Sequence, residues 1–297
     1  MQTLIGLLKT MRPKQWTKNI FIYAGLVFDG QLFVWDSLLR VTVSFILLCL
    51  AASSVYVIND LADIERDRQH PKKKYRPLPS GQLSIPIAQV AAVLLPLVSI
   101  GGALLYSWQY AAILTIYIVL NILYSFRLKH IVLIDILTIT AGYVLRVAGG
   151  AVVIQVARFS PWLYACMALL ALFLAIGKRR QELITLGTNA GEVRPIFKDY
   201  NLPLLDDLLR IVTTSTLIGY ILYVIETPSV LMAGNKLGLI TVPFVMYALF
   251  RYLYLIHVKG EGSAPDEVLL RDRPLQLSIL LWGLTFIIVL YAPRIFV

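Results

Sequence analysis

Residues 59–81 read N-D-L-A-D-I-E-R-D-R-Q-H-P-K-K-K-Y-R-P-L-P-S-G and stand between two apolar runs, Val41 to Ile58 and Ile85 to Tyr106. Asp60, Asp63 and Asp67 are spaced three and four apart, which on a helix puts them on one face with Asn59. Three like charges on one face repel, and a cation is their usual compensation. Carboxylates beside an amide oxygen suit Mg²⁺, which keeps several waters and bridges to substrate phosphates. Asn59, Asp60, Asp63 and Asp67 are therefore candidate metal ligands. Five residues on, Lys72, Lys73, Lys74 and Arg76 bring anion-binding charge. Acid for a metal and base for a phosphate, within 23 residues, read as a diphosphate site with Asp60, Asp63, Asp67, Lys72 and Arg76 as its catalytic candidates. A lysine run alone is an ordinary solvated loop between membrane helices. The ordered acidic face joined to H-P-K-K-K-Y-R-P lifts this stretch above that.

The apolar runs on either side are part of a general pattern. Of 297 residues, 58% are hydrophobic, and the mean hydropathy is +0.75. Repeated apolar segments of this kind imply an all-α, polytopic membrane protein. Nine spans are expected, near Lys18–Phe33, Leu38–Ile58, Ile85–Tyr106, Tyr110–Tyr124, Ile131–Val153, Pro161–Ile176, Leu208–Ile225, Leu237–Ile256 and Leu275–Tyr291. Residues 1–297 then form a single integral-membrane domain, with polar caps at about 60–84, 177–207 and 257–274. The amino terminus carries Lys9, Arg12, Lys14 and Lys18 before its first apolar run, without a small-residue cleavage site, so no secretory signal is expected. Cys49 and Cys166 fall inside spans and suggest neither a disulfide framework nor a metal site.

Charge sets the orientation. The net charge is +10. With the amino terminus inside, 20 of the 27 Lys and Arg residues fall in inner segments, four in outer segments and three within spans. That asymmetry puts the amino terminus and every motif on the cytoplasmic face, and an odd span count puts the carboxyl terminus outside. The expected location is the cytoplasmic membrane.

Other charged residues gather at the same edge. R-P-K-Q-W-T-K-N brings Lys14, Lys18 and Asn19 to the entry of the first span, either as an interfacial anchor or as a phosphate-binding wall. Tyr124 and Lys129 end the fourth span. Asp135 and Arg146 lie within the fifth, where ionisable residues are functional candidates by default. Their separation is about 16 Å along a helix, too far for mutual pairing. Asp135 is assigned to the metal–phosphate cluster, and Arg146 to an anionic substrate group or a carboxylate on a neighbouring helix. Lys178 and Arg179 open K-R-R-Q-E after the sixth span, as further substrate-binding candidates or as inside positive charge. His70 is given a structural role.

These motifs carry a family resemblance. N-D-x-x-D-x-x-x-D with about nine helices resembles the UbiA superfamily of intramembrane prenyltransferases, over nearly the whole chain. K-Q-W-T-K-N, Y-S-F-R-L-K, K-R-R-Q-E-L and L-L-R-D-R look like its decaprenyl-phosphate phosphoribosyltransferase branch. The resemblance implies a UbiA-like helical bundle. It also implies Mg²⁺-dependent transfer of phosphoribose from phosphoribosyl diphosphate to a polyprenyl phosphate, towards decaprenylphosphoryl arabinose and cell-wall arabinan. Typical aromatic prenyltransferases carry a second acidic cluster after the sixth helix, and this chain is basic there, which suits substrates with more phosphate. The rivals are prenyl transfer to an aromatic or lipid acceptor, and a membrane transporter. Collection of charge at one face argues against transport. Expected partners are the two substrates and the lipid bilayer, with no nucleic acid; a homo-oligomer is left open.

The orientation is testable directly. A cysteine placed at Lys236 or at the carboxyl terminus is expected to react with a membrane-impermeant thiol reagent outside intact cells, and one at Lys73 is not. The reverse pattern puts the charged stretch on the wrong side for a cytosolic sugar diphosphate.

Overall fold

The computed structural model describes residues 2–156, 160–226, 236–260, 268 and 271–295, and the regular elements among them are helical. Eight of its helices are long and apolar enough to cross a membrane. The chain divides into two compact units, residues 1–127 with 145–157 and residues 128–144 with 158–297.

The first unit contains α1 (Gln2–Thr10), a 3₁₀ stretch (Pro13–Tyr23), α2 (Ala24–Phe28), α3 (Trp35–Ala62), α4 (Ile64–Gln69), α5 (Ile85–Leu104) and α6 (Trp108–Phe126). α3 is its central helix: 61% of its apolar window is buried, against 22% for α5 and 28% for α6. Small residues explain this. Ser44, Ala51, Ala52, Ser53 and Ser54 are buried along α3, which lets neighbouring backbones come close in an apolar medium. Two of these hydroxyls are satisfied locally: Ser53 and Ser54 donate to the carbonyls of Cys49 and Ala51 at 2.7 Å. At 28 residues and ~1.5 Å rise each, α3 outruns the ~30 Å hydrocarbon layer, and its last turn carries Asn59 and Asp60.

One expected span takes another form. Lys18–Phe33 is not a long α-helix; Pro13–Tyr23 is 3₁₀, followed by the five-residue α2. Polar side chains tie this stretch sideways onto α3: Trp16 Nε1 donates to Ser53 Oγ at 3.1 Å, and Asn19 Nδ2 to Cys49 Sγ at 3.2 Å. Gly30, at φ 74°, turns the chain into α3.

The second unit contains α8 (Pro161–Leu186), α9 (Ala190–Val193), α10 (Leu202–Glu226), α11 (Val242–Tyr254) with a π-helical turn (Leu255–Lys259), and α12 (Arg273–Ile295). α7 (Ile134–Val153) gives its first half to this unit and its second half to the other. α8 and α10 pack where Gly219 admits Leu169 and Cys166, and the Phe173 and Tyr252 rings meet at 4.9 Å. The expected end of the sixth span at Ile176 is overrun by ten residues. Lys, Arg, Gln, Glu and Leu are all good helix formers, so α8 continues through K-R-R-Q-E until Gly187, at φ 54°. Short 3₁₀ turns and α9 then lead to α10. Within the expected cap at 257–274, Asp266 and Glu267 lie outside the described residues.

The tightest backbone approach in the first unit is at Gly150, where a Cβ would lie 1.8 Å from the Ile22 carbonyl oxygen. Gly150→Ala is expected to cost about 1–3 kcal/mol as overpacking, read as a lower thermal midpoint in detergent. Gly101→Ala, with nothing within 4 Å of its Cβ, is the control and is expected to be neutral or stabilising.

Candidate functional site

The organising stretch folds as two helices rather than one. α3 ends at Ala62, Asp63 sits at the junction with φ −98° and ψ 4°, and α4 carries Asp67. The break changes which carboxylates meet. Asp60 and Asp67 are buried, 2% and 0% exposed, and share one guanidinium. Arg76 Nη1 lies 3.2 Å from Asp60 Oδ1 and 2.7 Å from Asp67 Oδ2. Arg12 Nη2 adds a bond to Asp60 Oδ1 at 2.6 Å. Asp63 turns away: its side chain is 37% exposed and accepts from Arg66 at 2.8 Å. Asn59 is half-buried.

Among the described residues no set of three or more His, Cys, Asp or Glu side chains is gathered that could hold a metal ion. The expected three-aspartate face is thus replaced by a pair, because helix continuity through Asp63 was its premise. The pair still has the chemistry of a Mg²⁺ site. Both donors are carboxylate oxygens, and Asp67 Oδ1 is buried with no hydrogen bond; Lys73 Nζ stands 3.7 Å from it. An oxygen in that condition suits a hard cation. Arg12 and Arg76 supply the positive charge that the carboxylates require in its absence.

Around this pair, Lys72 is exposed, and its backbone N–H and that of Lys73 donate to His70 Nδ1 at 3.1 and 3.2 Å. His70 thus has the structural task expected of it, bracing the lysine turn. Lys14 is exposed, while Lys18 and Tyr124 are half-buried. Asn19 departs from expectation, being 1% exposed and so no part of a phosphate-binding wall. Its Oδ1 accepts from Arg146 Nε at 2.9 Å, and Arg146 Nη2 donates to the Tyr117 hydroxyl at 2.9 Å. Arg146 is therefore fixed by neutral groups at these two positions, 127 and 29 residues away.

In the second unit Asp135 and Arg179 also depart from expectation. Asp135 was assigned to the metal–phosphate cluster and Arg179 to substrate; the structure pairs them with each other. Asp135 is 0% and Arg179 2% exposed, with Nε donating to Oδ2 at 2.6 Å. Arg179 Nη1 also donates to Glu182 at 2.8 Å, and Arg194 joins the same carboxylate oxygen at 3.1 Å. Asp135 Oδ1 accepts from the Tyr200 hydroxyl at 2.8 Å. Burial first, and then the bond to Asp135, push the Tyr200 hydroxyl above the usual phenol range, so it stays protonated as a donor. Lys129 sits on a 3₁₀ turn, Leu128–His130, and Lys178 is half-buried near the end of α8.

Sequence reasoning missed Arg12, Tyr117 and Tyr200. Arg12 was counted as topological charge, although its place before Pro13 was a signal, since that residue is barred from ordinary helix. It adopts φ 54° and ψ 61°, and its guanidinium lies 4.8 Å from the Tyr56 ring centroid. Tyr200 has no local signal, lying 65 residues from the carboxylate it serves.

Comparison with known proteins bears on the family and the fold. A model of the UbiA prenyltransferase family matches residues 19–267. The chain is 32% identical over 296 residues to a decaprenyl-phosphate phosphoribosyltransferase of Corynebacterium glutamicum, covering 98% of this chain and 88% of that protein. A protein of the same name from Mycolicibacterium smegmatis is also 32% identical, covering 93% and 90%. Among solved structures, a UbiA homolog from Archaeoglobus fulgidus bound to DMAPP and Mg²⁺ shares the fold, with a TM-score of 0.70 at 17% identity, over 96% of this chain and 98% of the other. A helical membrane architecture, a paired aspartate motif at the end of a spanning helix and a family model matched from residue 19 to 267 together decide the classification: the chain belongs to the UbiA prenyltransferase family.

Proposed function

We propose that this chain transfers 5-phosphoribose from phosphoribosyl diphosphate to a polyprenyl phosphate such as decaprenyl phosphate, releasing diphosphate. The observation that carries the proposal is the near-full-length similarity to enzymes named for that lipid phosphate and that transfer. Both compact units serve one transferase domain in this reading. The excess of Lys and Arg in the expected inner segments supports, within this reading, motifs at the cytoplasmic face of the cytoplasmic membrane.

The chemistry needs few protein groups. A lipid phosphate oxygen attacks the anomeric carbon of ribose, the new C–O bond forms, and the bond to diphosphate breaks with its electron pair leaving on oxygen. The attacking phosphate is already anionic near neutral pH, so no general base is required. Diphosphate must instead be neutralised as it departs, and preorganised charge does this most effectively. Mg²⁺, which Asp60 and Asp67 would hold, would supply part of that neutralisation. Arg12 and Arg76, about a third exposed at 32% each, would donate to diphosphate oxygens from the solvent side of the pair. Lys72, Lys14 and Lys18 add basic charge from flanking segments. The polyprenyl tail needs only an apolar lipid-facing surface, which α5 and α6 provide through Leu94, Leu97, Ile116 and Val119.

Membranes containing the protein are expected to move labelled phosphoribose onto decaprenyl phosphate, with transfer lost on chelation of Mg²⁺. Transfer of a prenyl group to an aromatic acceptor, with none from phosphoribosyl diphosphate, overturns the proposal in favour of ordinary prenyl transfer. Asp60→Asn keeps the shape and removes one charge, so turnover should fall roughly a hundredfold, about 3 kcal/mol of transition-state stabilisation. Near-normal turnover in folded Asp60→Asn protein removes this carboxylate from the reaction.

A second prediction concerns the resting site. Arg76→Leu strands buried Asp67 and should destabilise the protein by about 3 kcal/mol, at the low end for a broken buried pair because Arg76 is partly solvated. Arg66→Leu breaks only the solvent-exposed Asp63 pair and should leave the thermal midpoint nearly unchanged.

A further inference from the structure

The three cations of K-R-R-Q-E have different surroundings on α8. Arg179 is enclosed, with donors committed to Asp135 and Glu182. Arg180, 9% exposed, donates to Asp206 Oδ1 at 2.5 Å. Lys178 is half-buried and has no ion pair or hydrogen bond among the described residues. We propose that Asp135, Arg179 and Tyr200 are positioning residues for the turn that carries Lys129 and the helix end that carries Lys178, and that Lys178 alone of the basic segment binds substrate phosphate. This rests on the phosphoribosyl-transfer reading above.

The geometry supports the division in three ways. Both oxygens of Asp135 are taken, one by Arg179 and one by Tyr200, so this fully buried carboxylate has no face to offer a metal. The Tyr200 hydroxyl works in two directions: it donates to Asp135 and accepts from the Leu133 N–H at 2.9 Å. Leu133 has φ 65°, a left-handed conformation that surrounding bonds must hold for a branched side chain. That bond fixes the chain four residues after Lys129, whose 3₁₀ turn packs against the turn Pro195–Lys198. The third argument is energetic. A buried ion pair is often no more stabilising than apolar side chains of similar size, so its use here lies in directed geometry. An arginine fork held between two carboxylates fixes the rotation of α8 about its axis and hence the direction of Lys178.

The test is a double-mutant cycle on purified protein in detergent, read by thermal midpoint and by kcat and KM for phosphoribosyl diphosphate. Asp135→Leu and Arg179→Leu each strand a buried charge and should lower the midpoint and raise KM roughly tenfold or more. The Asp135→Leu/Arg179→Leu pair should recover most of both losses. A folded double variant with KM no better than Arg179→Leu alone makes Arg179 a substrate ligand and overturns the proposal. Tyr200→Phe keeps the ring, so it tests the same point in a variant expected to fold. Its KM should rise about threefold to tenfold for the lost bonds, with kcat nearly constant, and an unchanged KM overturns the positioning role. Lys178→Ala should raise KM about tenfold to a hundredfold at an unchanged midpoint, and a normal KM overturns its assignment. If the wild-type protein transfers nothing from phosphoribosyl diphosphate, the reaction proposed above fails on its own. The cycle is then read by midpoint and by calorimetric binding of Mg²⁺–diphosphate, where strictly additive losses, or wild-type affinity in Lys178→Ala, still overturn this inference.

Discussion

A carboxylate taken out of water must be matched by positive charge close at hand, and that requirement governs the clusters around Asp60 and Asp67 and around Asp135. The desolvation cost is several kcal/mol per ion, repaid only by short, well-directed contacts. In the first unit Arg12 and Arg76 meet it for Asp60, and Arg76 meets it again for Asp67. In the second unit Arg179 meets it for Asp135. The helices around them pack as membrane helices do, through small residues and locally satisfied hydroxyls. Charge pairing sets which polar segments are held at their ends.

The two clusters differ in one respect that separates their roles. The side chains of Arg12 and Arg76 are each 32% exposed while the Asp60 carboxylate they share is buried, so this cluster is partly open to water. Asp67 keeps one oxygen without a hydrogen bond, an incompleteness that a bound cation would repair. The Asp135–Arg179 pair is closed on both sides, 0% and 2% exposed, and each carboxylate oxygen is already engaged. A partly open pair suits binding and chemistry, and a closed one suits geometry. The same inventory of acid and base thus yields a partly open pair in one place and a closed one in another, with solvent access as the difference.

Much of this was written in the chain. Hydropathy marked seven of the eight membrane-length helices closely, and the eighth, α8, ran on because its charged end is made of good helix formers. The stretch from Asn59 to Arg76 identified the carboxylates and the arginine that join, since they lie within 18 residues of one another. His70 could be read as structural because it had no partner at ligand spacing. The family resemblance, carried by short motifs spread along the chain, agreed with a family model over residues 19–267.

Local pattern could not decide which charge would answer which. Hydrophobic periodicity reports how each residue meets its surroundings, and it is the same whatever lies on the next helix. Electrostatic pairing depends instead on separations of 3 to 4 Å between groups distant in sequence. Asp135 finds Arg179 across 44 residues and Tyr200 across 65, and Arg146 finds Asn19 across 127. The break at Asp63 was equally invisible, and it turned an expected row of three aspartates into a pair with one outlier. Sequence by itself determined the class of fold, the membrane helices and the stretch in which the candidate site lies. Tertiary structure alone decided which ionised groups stay partly open to water and which close on each other, because Coulomb energy and desolvation are set by distance and burial and not by order along the chain.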